Sequence, residues 1–122
     1  MKINHNYYLD LAFQQAEKNL GKTKLNPSVG SILVKNNSVI SSGVTSINGR
    51  PHSEFNALNH KIDFKNSDLY VTLEPCTHKG LTQPCVNIIK KKKIKNVIYA
   101  FNDPDKRTFK KAKKILKSNK IN

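Results

Sequence analysis

The chain predicts an α/β fold in which helices cover both faces of one sheet. Three observations carry this. An apolar stripe at helical spacing opens the chain, two apolar runs flank a polar turn of hairpin length, and two further apolar runs are separated by a helix. The strand–helix–strand spacing predicts a right-handed parallel crossover.

Residues 5 to 20 predict an amphipathic helix. Tyr8, Leu11, Ala12, Gln15, Ala16 and Asn19 recur at intervals of three and four, and Leu9, Phe13 and Leu20 widen the stripe. Asn4 or Asn6 suits the N-cap, and Gly21 suits the C′ position. Asn26-Pro27 marks a turn. Val29 to Val34 and Val39 to Val44 read as strands around the hairpin turn Lys35-Asn36-Asn37-Ser38. A loop from Thr45 to Pro51 leads to a short helix over residues 53 to 60, with Phe55, Ala57 and Leu58 facing inward. Asp68 to Leu73 is a buried strand. A helix starting at Cys85 runs through Val86, Ile88 and Ile89 into Lys90 to Lys93, where cations favour the dipole of a helix C-terminus. Asn96 to Phe101 is the next strand, Asn102 to Asp105 a loop, and residues 110 to 117 a last helix, apolar at Ala112, Ile115 and Leu116. No repeat, linker or second domain interrupts this order, so residues 1–122 read as one domain.

Composition narrows the class. Apolar residues make up 37% of the chain, and no run approaches the roughly 20 apolar residues of a membrane span. The N-terminus lacks the apolar core of a signal peptide. A cytoplasmic protein without a membrane segment is expected. The net charge of +14 admits a polyanion partner. Yet 20 lysines stand against 2 arginines, alongside 15 asparagines, and the lysines are spread along the chain. Phosphate readers favour the arginine fork, so solvated faces explain the charge better than a nucleic-acid site.

The residues that carry chemistry are His52, Glu54, Cys76 and Cys85. Imidazole and two thiolates can hold Zn²⁺ and leave its fourth position open, and zinc acidifies a water there near neutral pH. A glutamate two residues from the histidine is placed to move protons. His-x-Glu followed by Pro-Cys and a later cysteine is the pattern of zinc deaminases acting on bases and nucleotides. His52 and Glu54 open one helix; Cys76 and Cys85 lie between a strand end and the next helix start, where sites of α/β sheets gather and thiolates are stabilised. Each residue alone has an ordinary explanation. A Cys76–Cys85 disulfide would staple a short loop in a chain read as cytoplasmic, and would leave Pro75 and His-x-Glu unexplained. A structural zinc site with His78 as fourth ligand would leave Glu54 idle. A non-catalytic zinc or nucleic-acid-binding module is the reading of a different class.

Over nearly its whole length the chain resembles the deaminase domain of the bifunctional riboflavin-biosynthesis pyrimidine deaminase/reductase. Asn26-Pro27-Ser28-Val29-Gly30 is similar to the family's Asn-Pro-x-Val-Gly segment. Gly49-Arg50-Pro51-His52-Ser53-Glu54 is similar to its His-Ala-Glu segment, with Ser53 for alanine. The stretch from Tyr70 to Cys85 looks like its longest motif, and Asp103-Pro104-Asp105 resembles its Asp-Pro-Asn loop. Eight residues separate the cysteines, against the two usual in cytidine, guanine and tRNA adenosine deaminases, so an RNA-editing or free-base deaminase is the runner-up.

The resemblance implies a cytidine deaminase-like three-layer α/β/α sandwich with a central mixed sheet of about five strands. It implies one Zn²⁺ per chain on His52, Cys76 and Cys85, with Glu54 as proton carrier. The implied substrate is 2,5-diamino-6-ribosylamino-4(3H)-pyrimidinone 5′-phosphate, which loses its ring 2-amino group by hydrolysis. Asn26, Thr45, Arg50, His78, Lys79, Asp103 and Asp105 are the implied substrate-binding residues. Thr45 stands where the family often has histidine, Leu81 where it has lysine or arginine, and Asp105 where it has asparagine, at positions that face the ribose phosphate. Arg50 and Lys79 are candidates to compensate. No reductase domain or dinucleotide fingerprint is present, so no NADPH binding is expected. A homodimer or higher homo-oligomer and a separate reductase partner are the expected associations.

Overall fold

A computed structural model describes residues 4–77, 83–105, 107–118 and 121. Helix α1 (His5–Glu17) leads into a hairpin of β1 (Gly30–Lys35) and β2 (Ser38–Val44). A 3₁₀ turn (Ile47–Gly49) precedes α2 (Ser53–Leu58), and β3 (Asp68–Leu73), α3 (Cys85–Lys91), β4 (Asn96–Phe101) and α4 (Ala112–Ser118) follow. The sheet order is β2-β1-β3-β4. β1 is antiparallel to both its neighbours, while β3 and β4 are parallel, as expected for strands joined through a helix. Four strands stand among the described residues where about five were expected, so β4 is the outer strand.

Alternation along the strands divides the core. Ile32, Val34 and Tyr70 point to α1 and pack with Ala12, Tyr8, Leu9 and Leu11. Leu33, Leu69 and Val71 point the other way and pack with residues of α2, α3 and α4: Ala57 and Leu58, Val86 and Ile89, Ala112 and Leu116. Each such fully buried aliphatic side chain contributes about 1.5–3 kcal/mol. The result is the expected layering of helices over both faces.

Local chemistry explains the element ends. The Asn4 side chain accepts a hydrogen bond from Tyr7 N at 3.1 Å, which settles the N-cap in favour of Asn4. Helix α1 stops at Glu17, short of residue 20, and Gly21 takes its positive φ of 81° in the turn that follows. Leu20 therefore lies on exposed surface, and Phe13, within the helix, is also exposed instead of widening a buried stripe. Asn36 and Asn37 both adopt positive φ, 53° and 63°, which is the two-residue turn that matches the twist of a hairpin. The segment 45–51 contains a 3₁₀ turn the sequence did not announce, with Asn48 at φ 74° and a cis Arg50–Pro51 peptide. Helix α2 ends at Leu58, two residues early, and Phe55 faces outward at 40% exposure, contrary to the inward placement expected. Strands β3 and β4 have the bounds the apolar runs predicted.

Two glycines allow the helices to sit close. A Cβ on Gly30 would collide with the Ala12 carbonyl of α1. One on Gly43 would lie 2.5 Å from Ser53 O and 2.6 Å from Ala57 N of α2. The second contact matters for the site, because α2 carries His52 at its N-cap and Glu54 in its first turn. Among the described residues no helix is long and apolar enough to cross a membrane.

Candidate metal centre and active-site cavity

Two helix starts meet at the C-terminal end of β3. His52 caps α2, and Cys85 is the first residue of α3. Cys76 follows β3 by three residues, on the turn that Pro75 stiffens. His52 Nδ1 lies 3.7 Å from Cys76 Sγ and 3.5 Å from Cys85 Sγ. All three donor atoms fall within 4.8 Å of one another. Nitrogen and sulfur ligands around one tetrahedral zinc, at about 2.1 and 2.3 Å, stand about 3.6 Å apart. The donor set and its spacing therefore fit zinc. Both cysteines are free thiols, so the disulfide alternative fails.

Electrostatics say the same. The hydrogen bond from Cys85, with help from His52 and the Cys85 N–H at 3.1 Å, pulls the Cys76 thiol down to about 4 against the cost of burial. Cys85 moves the opposite way. Its hydrogen bond to Cys76, burial, and the neighbouring Glu54 and Cys76 charges hold its thiol well above the usual range. Without a cation, the second thiolate has nowhere favourable to form. His52 is raised chiefly by its hydrogen bond to Cys76, with burial and the Arg50 charge opposing. The site concentrates negative charge that a divalent cation would balance.

Glu54 is 4% exposed. Burial first, and then the Cys76 charge, raise its carboxyl above the ordinary range. The Ser53 hydroxyl donates to Glu54 Oε1 at 2.8 Å and lies 2.8 Å from the Ser31 hydroxyl on β1. A buried carboxyl held in this way and raised above the ordinary range is suited to carrying a proton.

These groups open on a cavity of about 500 Å³. His52, Glu54 and Cys76 line one side; Asn26, Thr45, Arg50, Asp103 and Asp105 line the remainder. A second cavity of about 560 Å³ lies beyond His52 and Cys85, between Phe55 and Ile88, but Glu54 does not border it. Five of the seven substrate-binding residues expected from the sequence thus meet in one cavity with the metal donors. Their polar groups are not equally available. The Thr45 hydroxyl accepts from Val29 N at 2.9 Å, and the Asn26 amide donates to Gly49 O at 2.9 Å. His78 and Lys79, together with Leu81, lie outside the described residues.

Two residues of the cavity escaped the sequence reading. Glu74, 2% exposed, accepts from Asp103 N at 3.1 Å, Lys110 N at 2.9 Å and Ala112 N at 2.9 Å. It ties the end of β3 to the far wall and to the first residue of α4. A carboxylate closing an apolar strand was its only signal. Arg107 lines the cavity beside Asp105. Its signal was rarity, as one of two arginines.

Comparison with known proteins agrees with this geometry. Residues 2–101 match the cytidine and deoxycytidylate deaminase zinc-binding region. The chain is 38% identical over 100 residues to a diaminohydroxyphosphoribosylamino-pyrimidine deaminase of Buchnera aphidicola, covering 81% of this chain and 68% of that one. It is 41% identical over 100 residues to the riboflavin biosynthesis protein RibD of Bacillus amyloliquefaciens, covering 81% of this chain but 27% of the relative. The chain thus spans about a quarter of the length of such RibD relatives. Its fold superposes on RibD of Acinetobacter baumannii with a TM-score of 0.90 at 36% identity, covering 96% of this chain and 33% of that structure.

Proposed function

The chain belongs to the cytidine and deoxycytidylate deaminase family, and from that premise we propose that it hydrolytically removes the ring 2-amino group of 2,5-diamino-6-ribosylamino-4(3H)-pyrimidinone 5′-phosphate. The observation that carries this reading is a cavity lined by buried Glu54 together with His52 and Cys76, two members of a His-Cys-Cys donor set at zinc spacing whose third member, Cys85, lies directly behind. The identity to RibD and to the Buchnera deaminase directs the choice of substrate.

His52, Cys76 and Cys85 would hold one Zn²⁺ per chain; bound there, zinc supplies the Lewis acidity that makes water nucleophilic at neutral pH. Glu54 does the proton work. Its carboxylate takes a proton from the attacking water and returns it to the ring nitrogen beside the amino-bearing carbon, then takes the second proton from the hydroxyl now on that carbon and gives it to the departing amine. Ammonia leaves and a ring carbonyl remains. Ser53 orients Oε1 for both transfers. Burial keeps competing bulk water away from the carboxyl. Asn26, Arg50, Asp103 and Asp105, with His78 and Lys79, form the substrate-facing set.

Residues 1–122 act as one deaminase domain in this reading. The cytoplasm, which keeps both thiols reduced, is its place. Assembly of copies as a homodimer or higher homo-oligomer is supported by the outer position of β4, where Phe101 is 63% exposed and stacks edge-on against Phe13 at 6.2 Å.

A substrate panel tests the reading. The zinc-loaded chain should release ammonia from the diaminopyrimidinone ribotide, and not from cytidine, guanine or a tRNA anticodon stem. Release from cytidine alone would sink the riboflavin assignment. Glu54→Gln should retain zinc and lose about a hundredfold to ten-thousandfold in turnover. Full activity in that variant would overturn the role of Glu54.

A further inference from the structure

Against 20 lysines the chain spends only two arginines, Arg50 and Arg107. Both line the cavity that holds Glu54 and Cys76, and among the described residues lining it there is no lysine. A lysine-rich composition that places both planar, permanently charged forks in one cavity marks a site for an oxyanion with several acceptor atoms.

Arg107 is also built into place. Asp105 grips it, Oδ2 accepting from Nη2 at 2.6 Å and Oδ1 from Nε at 3.1 Å, while Oδ1 also accepts from Arg107 N at 2.9 Å. The Arg107 carbonyl accepts from Thr77 Oγ1 at 3.0 Å, and Thr77 N donates to Thr108 Oγ1 at 3.2 Å. Thr77 directly follows the proposed ligand Cys76. The Arg107 backbone is therefore tied to the turn that carries a proposed metal donor, while Asp105 holds its guanidinium. Its side chain is 63% exposed, yet much of the ordering entropy a ligand would otherwise have to supply is already spent. The Asp105 bonds use Nε and Nη2; Nη1 takes no part in them. Arg50 stands on the His52 side of the same cavity, near enough for its charge to act on the imidazole.

We propose that Arg107 and Arg50 together form the phosphomonoester subsite of this cavity, with Asp105 as the positioning residue that aims the Arg107 fork. The subsite rests on the preceding reading only for the reaction, since its ligand chemistry is that of any sugar phosphate. Asp105 faces the cavity and at the same time holds the arginine. A carboxylate alone at this wall would repel a phosphate dianion; paired with Arg107 it becomes a hinge pin for the fork.

The test is the preference of the zinc-loaded full chain for the ribotide over the same compound lacking its 5′-phosphate. Charge-assisted hydrogen bonds of this kind predict that Arg107→Ala cuts the ratio of the two kcat/KM values by about ten- to a hundredfold, mainly through KM for the ribotide. Arg107→Lys keeps the charge without the fork and should fall between the two. A direct titration with ribose 5-phosphate should weaken in parallel. An unchanged ratio together with unchanged ribose 5-phosphate affinity would reduce Arg107–Asp105 to a surface ion pair and overturn the subsite. If the wild-type chain deaminates no ribotide yet binds ribose 5-phosphate through Arg107, the substrate assignment falls and the subsite stands.

Discussion

One wall of the cavity is dry and the other wet. On the first, Glu54 is 4% exposed and His52 and Cys76 are half-buried, with His52 and Glu54 held at the start of α2 and Cys76 on the turn after β3. On the second, Asp103, Pro104, Asp105 and Arg107 have partly or fully exposed side chains, and the buried carboxylate of Glu74 accepts from the backbone of Asp103. The difference follows from the work each wall does. Bond making needs donors and a proton carrier held within a few tenths of an ångström, and a low-dielectric setting that raises the Glu54 carboxyl. Capture of a charged, hydrated group needs donors that solvent and ligand can both reach, so exposure is tolerated provided the fork is held.

Substitutions on each wall sharpen that contrast. The largest effect is expected from Cys85→Ala. The remaining histidine and thiolate cannot retain the metal, so zinc content by elemental analysis and turnover should both fall to background. Retention of stoichiometric zinc would dissolve the dry wall as a metal centre.

Next comes Gly43→Ala. The new methyl would press on Ser53 O and Ala57 N at 2.5 and 2.6 Å, pushing α2 off the sheet. A loss of about 1–3 kcal/mol in denaturant unfolding is expected. A turnover loss beyond that expected from the unfolded fraction should accompany it, because α2 carries His52 and Glu54. Unchanged unfolding would mean that the close approach of α2 is not needed.

Glu74→Gln addresses the staple between the walls. An amide keeps one acceptor oxygen where the carboxylate serves three N–H groups. The unpaired donors should cost about 1–3 kcal/mol, and the loosened loop should raise KM for the ribotide more than it lowers kcat. Equal effects on the two constants would assign Glu74 to folding alone. The smallest effect is expected from Ser53→Ala, which removes one hydrogen bond to Glu54. About tenfold or less in kcat is predicted, with zinc content unchanged.

How much of this was legible beforehand differs between the walls. The grouping of His52, Cys76 and Cys85 beside Glu54 could be read from residue type and order, because the roles proposed for them admit few substitutes. The strands β3 and β4 were legible for a similar reason, as continuous apolar runs with no competing period. Phe55 was misread because a six-residue helix is too short for periodicity to say which face is buried. Glu74 and Arg107 were missed because their partners are remote: Glu74 serves residues about 30 to 40 positions further on, and Arg107 is anchored by Thr77 thirty residues earlier.

The sequence by itself determined the layered α/β fold and pointed to the residues proposed as metal donors and proton carrier, since each depends on local pattern or on a demanding chemistry. Only the tertiary structure decided that the hydroxyl of Thr45 is consumed by Val29, that Glu74 staples the two walls, and that both arginines converge on one cavity. The physical reason is that hydrogen bonds and ion pairs between distant loops leave no periodic trace in a chain. They exist only once burial of the apolar runs has brought those loops together.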